Sequence, residues 1–472
     1  MSRKKLEPYD LQDVTVLNAG SEGKCFARHE EKVLILDYAV PGDVVDLHIY
    51  SRRKKFNLAA IKRIVQPSSD RVDTFCEHFG TCGGCKWQQM SYAAQLRYKQ
   101  QQVQDAFERI GKFPFPTIKN IIGADETKYY RNKLEYNFTN EKWIDNPAEK
   151  AAMTATELAG LGYHVPGRYD KVFDVNTCYL QDDLQNKIRN AIRDFAKEKE
   201  FVFFDLYKQE GFLRSVFFRS NLNGEWMVII VFGRDEEEKR NELLDFIKNN
   251  FPQITSLNYV INPKLNDTIF DLEVKCYFGN DHLIENLYEL KFKIGPKSFF
   301  QTNTKQTLKL YAKTLEFAGL SGNETVYDLY TGVGTIANFV AKKSKEVIGI
   351  ENVEEAIRDA KINSQINGIQ NTKFFAGDMK NMLTDDFISE HGKPDVVITD
   401  PPRAGMHEDV VLKLLEMKPS RIVYVSCNPG TQARDIALMQ KVYDVKEVQP
   451  VDMFPHTHHV ENITLLELKT VA

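Results

Sequence analysis

The sequence predicts an α/β protein in three parts: a small N-terminal β-barrel over residues 1–66, a central α/β domain over 67–290 carrying a cysteine-rich site, and a C-terminal open, doubly wound sheet over 291–472. Three observations predict it. The first is the run Thr325-Val326-Tyr327-Asp328-Leu329, a buried strand, which passes through the glycine-rich turn Tyr330-Thr331-Gly332-Val333-Gly334-Thr335 into a helix from Ile336. About 20 residues on, the strand Val347-Ile348-Gly349-Ile350 ends in an acid, Glu351, the placement of a ribose-binding carboxylate in a nucleotide site. The second is the apolar run Ile422-Val423-Tyr424-Val425, which Pro429 and Gly430 interrupt. Cys427 therefore stands where a strand stops, and open α/β sheets bind ligands at the carboxyl ends of their strands. The third is the alternation of Val14 to Ala27 and Lys32 to Asp37, short strands with close turn punctuation.

At 472 residues the chain is long enough for two or three domains, and its 42% hydrophobic and 27% charged content is that of a globular protein. A net charge of −4 gives no global basic signature, so a nucleic-acid partner has to be met by a local basic surface. No run approaches the roughly 18 apolar residues of a membrane span. Met1-Ser2-Arg3-Lys4-Lys5 leads into no apolar stretch of a secretion signal. These features point to a cytoplasmic protein with no membrane partner. Its seven cysteines are then thiols, metal ligands or catalysts rather than structural disulfides. No feature marks an obligate protein partner, and a monomer is expected.

Taken in order, the barrel has turns at Ala19-Gly20-Ser21-Glu22-Gly23 and Ala39-Val40-Pro41-Gly42-Asp43, a strand Val44 to Ile49, the basic run Arg52-Arg53-Lys54-Lys55 and a last strand Leu58 to Val65. The stretch from Val40 to Ser68 resembles the TRAM domain, an OB-like barrel. That resemblance implies RNA binding on one barrel face with help from the basic loop. Next come Cys76, Cys82 and Cys85, with Gly83-Gly84 letting the backbone wrap closely: half of a metal site, for which the distant Cys178 is the candidate fourth ligand. Spacing leaves zinc and iron–sulfur both open. Cys25 and Cys276 stand alone and read as core residues.

Gln88 to Ile110 has helical spacing, with Leu96, Val103, Phe107 and Ile110 on one side. Strands are expected from Tyr130, at Gly160 to His164, Gly211 to Arg219, Trp226 to Gly233 and Leu257 to Ile261, with helices at Leu180 to Lys199 and Glu236 to Asn250. Residues 145–158 read as a polar surface insertion.

In the C-terminal part a dehydrogenase fingerprint would put a third glycine where Ala337 stands. Asp328-Leu329-x-x-Gly332-x-Gly334 instead resembles the first motif of class I, Rossmann-like S-adenosylmethionine (SAM) methyltransferases. Phe374 to Asp378 is then the third strand, with Asp378 near the adenine, and Asp395 to Thr399 the fourth, leading into Asp400-Pro401-Pro402. Enzymes that methylate exocyclic amines commonly follow the two prolines with an aromatic residue; Arg403 stands here, which argues against amino methylation and leaves ring-carbon methylation open. C5 of a pyrimidine is a poor nucleophile. A thiolate adding at C6 makes C5 attack the methyl sulfonium, and a base must then remove the C5 proton so that the thiol can leave. Cys427 is the candidate nucleophile. The base comes from Pro455-His456-Thr457-His458-His459-Val460-Glu461. Three histidines could suggest a metal, but Glu461 heads the strand Ile463 to Leu468, expected at a sheet edge facing the site.

Phe299-Phe300-Gln301-Thr302-Asn303, the Asp-Leu-Tyr-x-Gly-x-Gly turn, Asp400-Pro401-Pro402-Arg403-x-Gly405, Ser426-Cys427-Asn428-Pro429 and His458-x-x-Glu461 occur in that order. Together they resemble the RNA (uracil-5-)-methyltransferase family, and the TRAM-like barrel with Cys76, Cys82, Cys85 and the distant Cys178 is similar to its iron–sulfur members, especially the 23S rRNA 5-methyluridine enzymes. The resemblance implies that Cys427 is the nucleophile and Glu461 the base. It makes Gln301, Tyr330, Glu351 and Asp400 the SAM contacts, and Cys76, Cys82, Cys85 and Cys178 the ligands of a 4Fe–4S cluster. Thr335 departs from members that carry Asn there. The substrate it implies is rRNA; tRNA is the alternative. An RNA cytosine-5 methyltransferase would place its cysteine beside the fourth-strand proline, where Pro401-Pro402 has none. A non-catalytic RNA-binding iron–sulfur protein would not need both Cys427 and Glu461 intact. A radical methylase would show Cys-x3-Cys-x2-Cys, which is absent from this sequence.

Overall fold

The computed structural model describes residues 7–470, and the Met1–Lys5 stretch lies outside the described residues. The N-terminal strands β1 (Tyr9–Ala19), β2 (Cys25–His29), β3 (Lys32–Leu36), β4 (Val44–Arg52) and β5 (Phe56–Gln66) close a barrel in the order β1-β2-β3-β5-β4. Alternation builds it. Val14 and Val16 on β1, Leu34 and Leu36 on β3, and Val45, Leu47 and Ile49 on β4 all point inward and are buried. Trp87, Met90 and Ala94, from the chain after the barrel, join the same core. The Arg53–Lys55 turn connects β4 to β5.

Helix α1 (Tyr92–Ala106) follows, and its last turn widens into a π-turn over Phe107–Gly111. That extra residue shifts the helical period. Val103 and Phe107 are buried as their spacing predicts, but Ile110 is rotated out to 54% exposure. Val103, Phe107, Phe113 and Ile118 pack with the C-terminal layer rather than with the central sheet.

The middle of the chain is a sheet with helices. In order it comprises β6 (Lys133–Thr139), the short helices α2 (Pro147–Ala151) and α3 (Ala155–Leu158), β7 (Gly160–Val165), β8 (Arg168–Asp174), α4 (Leu184–Glu198), β9 (Leu213–Ser220), β10 (Trp226–Phe232), α5 (Glu237–Asn250), β11 (Ile254–Ile261) and β12 (Lys275–Gly279). The strand order is β12-β11-β10-β9-β6-β7-β8, antiparallel except for β10 and β11, which α5 joins as a parallel pair. β12 is an edge strand. Cys276 on it is exposed, not a core residue as its isolation suggested; Cys25 is fully buried in the barrel. A two-stranded hairpin, β13 (Leu283–Leu287) with β14 (Leu290–Ile294), leads to the last layer.

That layer runs α6 (Thr304–Ala318), β15 (Thr325–Leu329), α7 (Thr335–Ala341), β16 (Glu346–Glu351), α8 (Glu354–Ile366), β17 (Thr372–Ala376), α9 (Met379–Met382), α10 (Asp385–His391), β18 (Val396–Thr399), α11 (Glu408–Met417), β19 (Arg421–Ser426), α12 (Pro429–Met439), β20 (Tyr443–Val451) and β21 (Glu461–Leu468). The sheet order is β17-β16-β15-β18-β19-β21-β20. β15 to β19 are parallel, and β21 returns antiparallel between β19 and β20. β21 is thus an interior strand, not the edge strand its position in sequence suggested, because the preceding hairpin strand β20 takes the edge. The order reverses between β15 and β18, the switch point where such sheets open a crevice.

Candidate active site

The crevice is a cleft of about 940 Å³ above the carboxyl ends of the parallel strands, large enough for a nucleotide-sized ligand. The turn after β15 lines it with Tyr330, Thr331 and Gly332; the end of β16 with Glu351; the turn after β17 with Asp378; the end of β18 with Asp400, Pro401, Pro402 and Arg403; and the end of β19 with Cys427. Gln301, just before α6, completes one wall, and Glu461 the other. Every candidate SAM contact and both candidates for the chemistry therefore face one cavity.

The glycine-rich turn is built to bring backbone close. Gly334 caps α7 with φ of 76°, and a Cβ there would meet Ala360 Cβ and Asn338 Nδ2 at 3.0 Å. Asp328, fully buried below the turn, accepts from Thr331 Oγ1 and from Ala337 N at 3.0 Å. Sequence reasoning passed over Asp328, although its place in the Asp-Leu-Tyr motif was a signal for it. Glu351 is oriented by Gly332 N and Val353 N, each donating at 3.1 Å, which leaves lone pairs free toward the cleft. Gln301 Nε2 reaches Asp400 Oδ2 at 3.5 Å.

Sheet register brings the two reactive candidates together. Ser426 pairs with Asn462 across the β19–β21 ladder. Cys427 follows Ser426 and Glu461 precedes Asn462, so both leave the ladder at the same end, and both line the cleft. Cys427 stops the strand because Asn428 caps α12, its side chain accepting from Gly430 N at 3.1 Å, with Pro429 at the first helical position. Burial pushes the Cys427 thiol up to about 12, the Glu461 and Asp400 carboxylates add to this, and Arg403 opposes it. Glu461 is 4% exposed. Burial and the neighbouring Asp400 hold its carboxyl above the carboxylate range, again opposed by Arg403. Arg403, which the sequence marks by the missing aromatic and by the Asp-Pro-Pro-Arg motif, is the cation common to both groups. Its Nη2 lies 3.5 Å from His459 Nε2. His458 and His459 are pushed down to about 4 and about 3 by burial, so both stand neutral beside it.

The other thiols form a separate site. Cys76, Cys82, Cys85 and Cys178 line one small cavity with His78, Phe79 and Tyr163. Among the described residues, however, no group of three or more His, Cys, Asp or Glu is arranged to hold a metal ion. The metal half-site expected from sequence is thus found as four thiols around a cavity, not as a formed ion site. The donor set still suits a larger group. Gly84 N donates to Cys82 Sγ at 3.4 Å, and Tyr163 Oη lies 3.9 Å from Cys178 Sγ, where either atom can donate. Burial pushes Cys82 and Cys85 up to about 12, each raised further by its neighbouring thiols.

Residues 91–469 match the family model described as tRNA (Uracil-5-)-methyltransferase. A Bacteroides thetaiotaomicron protein described as an uncharacterized RNA methyltransferase is 53% identical over 95% of this chain and 100% of its own length. A Porphyromonas gingivalis protein of the same description is 50% identical over 96% of this chain and 99% of its own. Among solved structures, the Pyrococcus abyssi tRNA (uracil-54, C5)-methyltransferase in complex with S-adenosyl-L-homocysteine superposes with a TM-score of 0.73 at 26% identity, covering 96% of this chain and 100% of that one. Fold and cleft define a SAM-dependent RNA methyltransferase. The chain belongs to the tRNA (uracil-5-)-methyltransferase family. Among the described residues no helix is long and apolar enough to cross a membrane.

Proposed function

We propose that the protein methylates C5 of a uridine in RNA, with Cys427 as nucleophile and Glu461 as base. The observation that supports this is that Cys427, just past the end of β19, and the buried Glu461, at the start of the neighbouring β21, line one cleft, with the Glu461 carboxylate near enough to raise the thiol. Cys427 adds through sulfur to C6 of the uracil. The electron pair at C5 takes the methyl group from the sulfonium, releasing S-adenosylhomocysteine. Glu461 then accepts the C5 proton, and the C6–S bond breaks to return the thiolate. Gln301, Tyr330, Glu351, Asp378 and Asp400 hold SAM, with Glu351 on the ribose and Asp378 near the adenine. The uridine must be flipped out to meet the thiol, which favours an unpaired loop as target. The N-terminal barrel, read as TRAM-like, and its Arg52–Lys55 turn supply backbone contacts to that RNA.

The four thiols Cys76, Cys82, Cys85 and Cys178 would hold a 4Fe–4S cluster, which when bound serves as a covalent staple with all positions taken by cysteine. It ties the loop after the barrel to the segment before α4, and no step of the methyl transfer runs through it.

The RNA is proposed to be 23S rRNA. The likeness to the P. abyssi tRNA (uracil-54, C5)-methyltransferase favours a second reading, tRNA. Mass-spectrometric mapping of 5-methyluridine in rRNA and tRNA from a deletion strain decides. Loss confined to rRNA is expected. Loss confined to tRNA replaces the rRNA reading, and no loss in either removes the uracil-5 assignment.

A further inference from the structure

α1 presents a polar stripe to the loop that joins β20 to β21, on a face where a docked helix is ordinarily apolar. Tyr92, Gln95, Lys99 and Gln102 follow one another by three or four residues and so share a face. Each one grips that loop. Tyr92 Oη donates to Asp452 Oδ2 at 2.9 Å. Lys99 Nζ donates to Asp452 Oδ1 at 2.6 Å and to the Phe454 carbonyl at 2.9 Å. Gln95 Oε1 accepts from His456 N at 2.8 Å, while its Nε2 donates to the Trp87 and Met90 carbonyls at 3.0 and 2.8 Å. Gln102 Nε2 donates to the His458 carbonyl at 3.2 Å. Gln95, Lys99 and Asp452 are wholly buried.

Polar side chains are expensive to bury, and an apolar stripe would dock the helix at lower cost. What these four contribute instead is position, because nearly all the contacts end on backbone or on one carboxylate. The loop they hold runs straight into Glu461, the first residue of β21. A second set braces it from the other side: Lys86 N and Trp87 N donate to the His456 carbonyl at 2.9 and 3.0 Å, and Tyr130 Oη to the Pro455 carbonyl at 3.0 Å.

We propose that Tyr92, Gln95, Lys99 and Gln102 are positioning residues that fix the Asp452–His458 loop and thereby set the reach of Glu461 to the C5 proton. This rests on Glu461 being the base. A displaced base slows only the last step, proton removal and elimination, so the enzyme should stall with methylated RNA attached to Cys427. A loss of general stability would not trap that species.

The test uses the full chain, total RNA from a deletion strain and methyl-tritiated SAM. Gln95→Leu is expected to lower turnover about tenfold or more, as small misplacements of a reacting group do. Labelled protein–RNA adduct should build up on denaturing gels, with SAM affinity unchanged. Gln102→Leu, near the surface and safe for folding, should show the same pattern more weakly and carries the test if Gln95→Leu does not fold. Glu461→Gln serves as the reference. If Glu461→Gln traps adduct and neither glutamine variant does, the positioning role is wrong while the base stands. If Glu461→Gln traps none, the base assignment falls, and this inference with it.

Discussion

The protein carries two sites lined by thiols, and they differ in what the thiols face. Burial is the first cause raising the thiols of Cys427, Cys82 and Cys85 alike, each to about 12. The charged and ionisable neighbours differ. Cys427 has two carboxylates and one guanidinium around it and opens on a cleft of about 940 Å³. Cys82 and Cys85 have other thiols around them in a small cavity lined by His78, Phe79 and Tyr163. Burial alone therefore says nothing about what a cysteine does. In the proposed chemistry Arg403 is the group that favours the Cys427 thiolate, against burial and the two carboxylates. The cluster proposed for Cys76, Cys82, Cys85 and Cys178 would relieve the mutual repulsion of four deprotonated thiols.

The sharpest way to break this comparison is to remove one thiol from each site. Cys427→Ala should lower methyl transfer by roughly 10⁴-fold or more, the scale on which losing a nucleophile is felt, with SAM binding retained by calorimetry. Cys178→Ala should leave transfer measurable but lower the thermal midpoint by about 5 °C or more. Anaerobically prepared wild-type protein should carry about four irons per chain, and the Cys178→Ala protein fewer. Equal loss of transfer in both variants, with both folded, would mean that the two sites are one functional unit.

How much of this was legible in the sequence follows the range of the interactions. Local rules found the cleft: the glycine turn, the acid ending β16, and Cys427 where a strand meets proline all concern residues next to one another in the chain. Glu461 was also found, but its strand was placed at the sheet edge, because nothing local tells that β20 would fold over the outside. Ile110 was misassigned for a related reason. Helical spacing holds only while the helix stays α, and the π-turn over Phe107–Gly111 breaks it. The polar stripe of α1 was invisible. Gln95 and Lys99 look like solvated positions until the Asp452–His458 loop, more than 350 residues further on, closes over them.

The next effect in size separates the two partners within the cleft. Glu461→Gln keeps the shape of the proposed base and removes its ability to take a proton. Addition and methyl transfer should proceed, with elimination slowed by about 10² to 10⁴-fold, the usual share of a general base. A burst of one methyl per enzyme, followed by a slow steady state, is the expected trace in a filter-binding assay. A steady rate without a burst would place the slow step before transfer and remove Glu461 from the final step.

The smallest effect is expected from Arg403, and it tests the electrostatic half of the comparison. Arg403 is the cation that lowers both the Cys427 thiol and the Glu461 carboxyl, against burial and Asp400, which raise them. In its proposed role as base, Glu461 works only when ionised. Its pKa lies above the ordinary carboxylate range, so its active form is lost as pH falls through that raised value. Thiolate formation at Cys427 is favoured by the same direction of pH. Removing the guanidinium with Arg403→Ala lets both groups rise further. The acid limb of the rate profile should therefore move to higher pH, by about one unit for each 1.4 kcal/mol of lost interaction. The rate at high pH should fall far less than the rate at neutral pH. Arg403→Lys, which keeps the charge but not the planar fork, should restore most of the profile. A profile of unchanged shape and uniformly lower height would show that Arg403 acts on the RNA rather than on the thiol and its base.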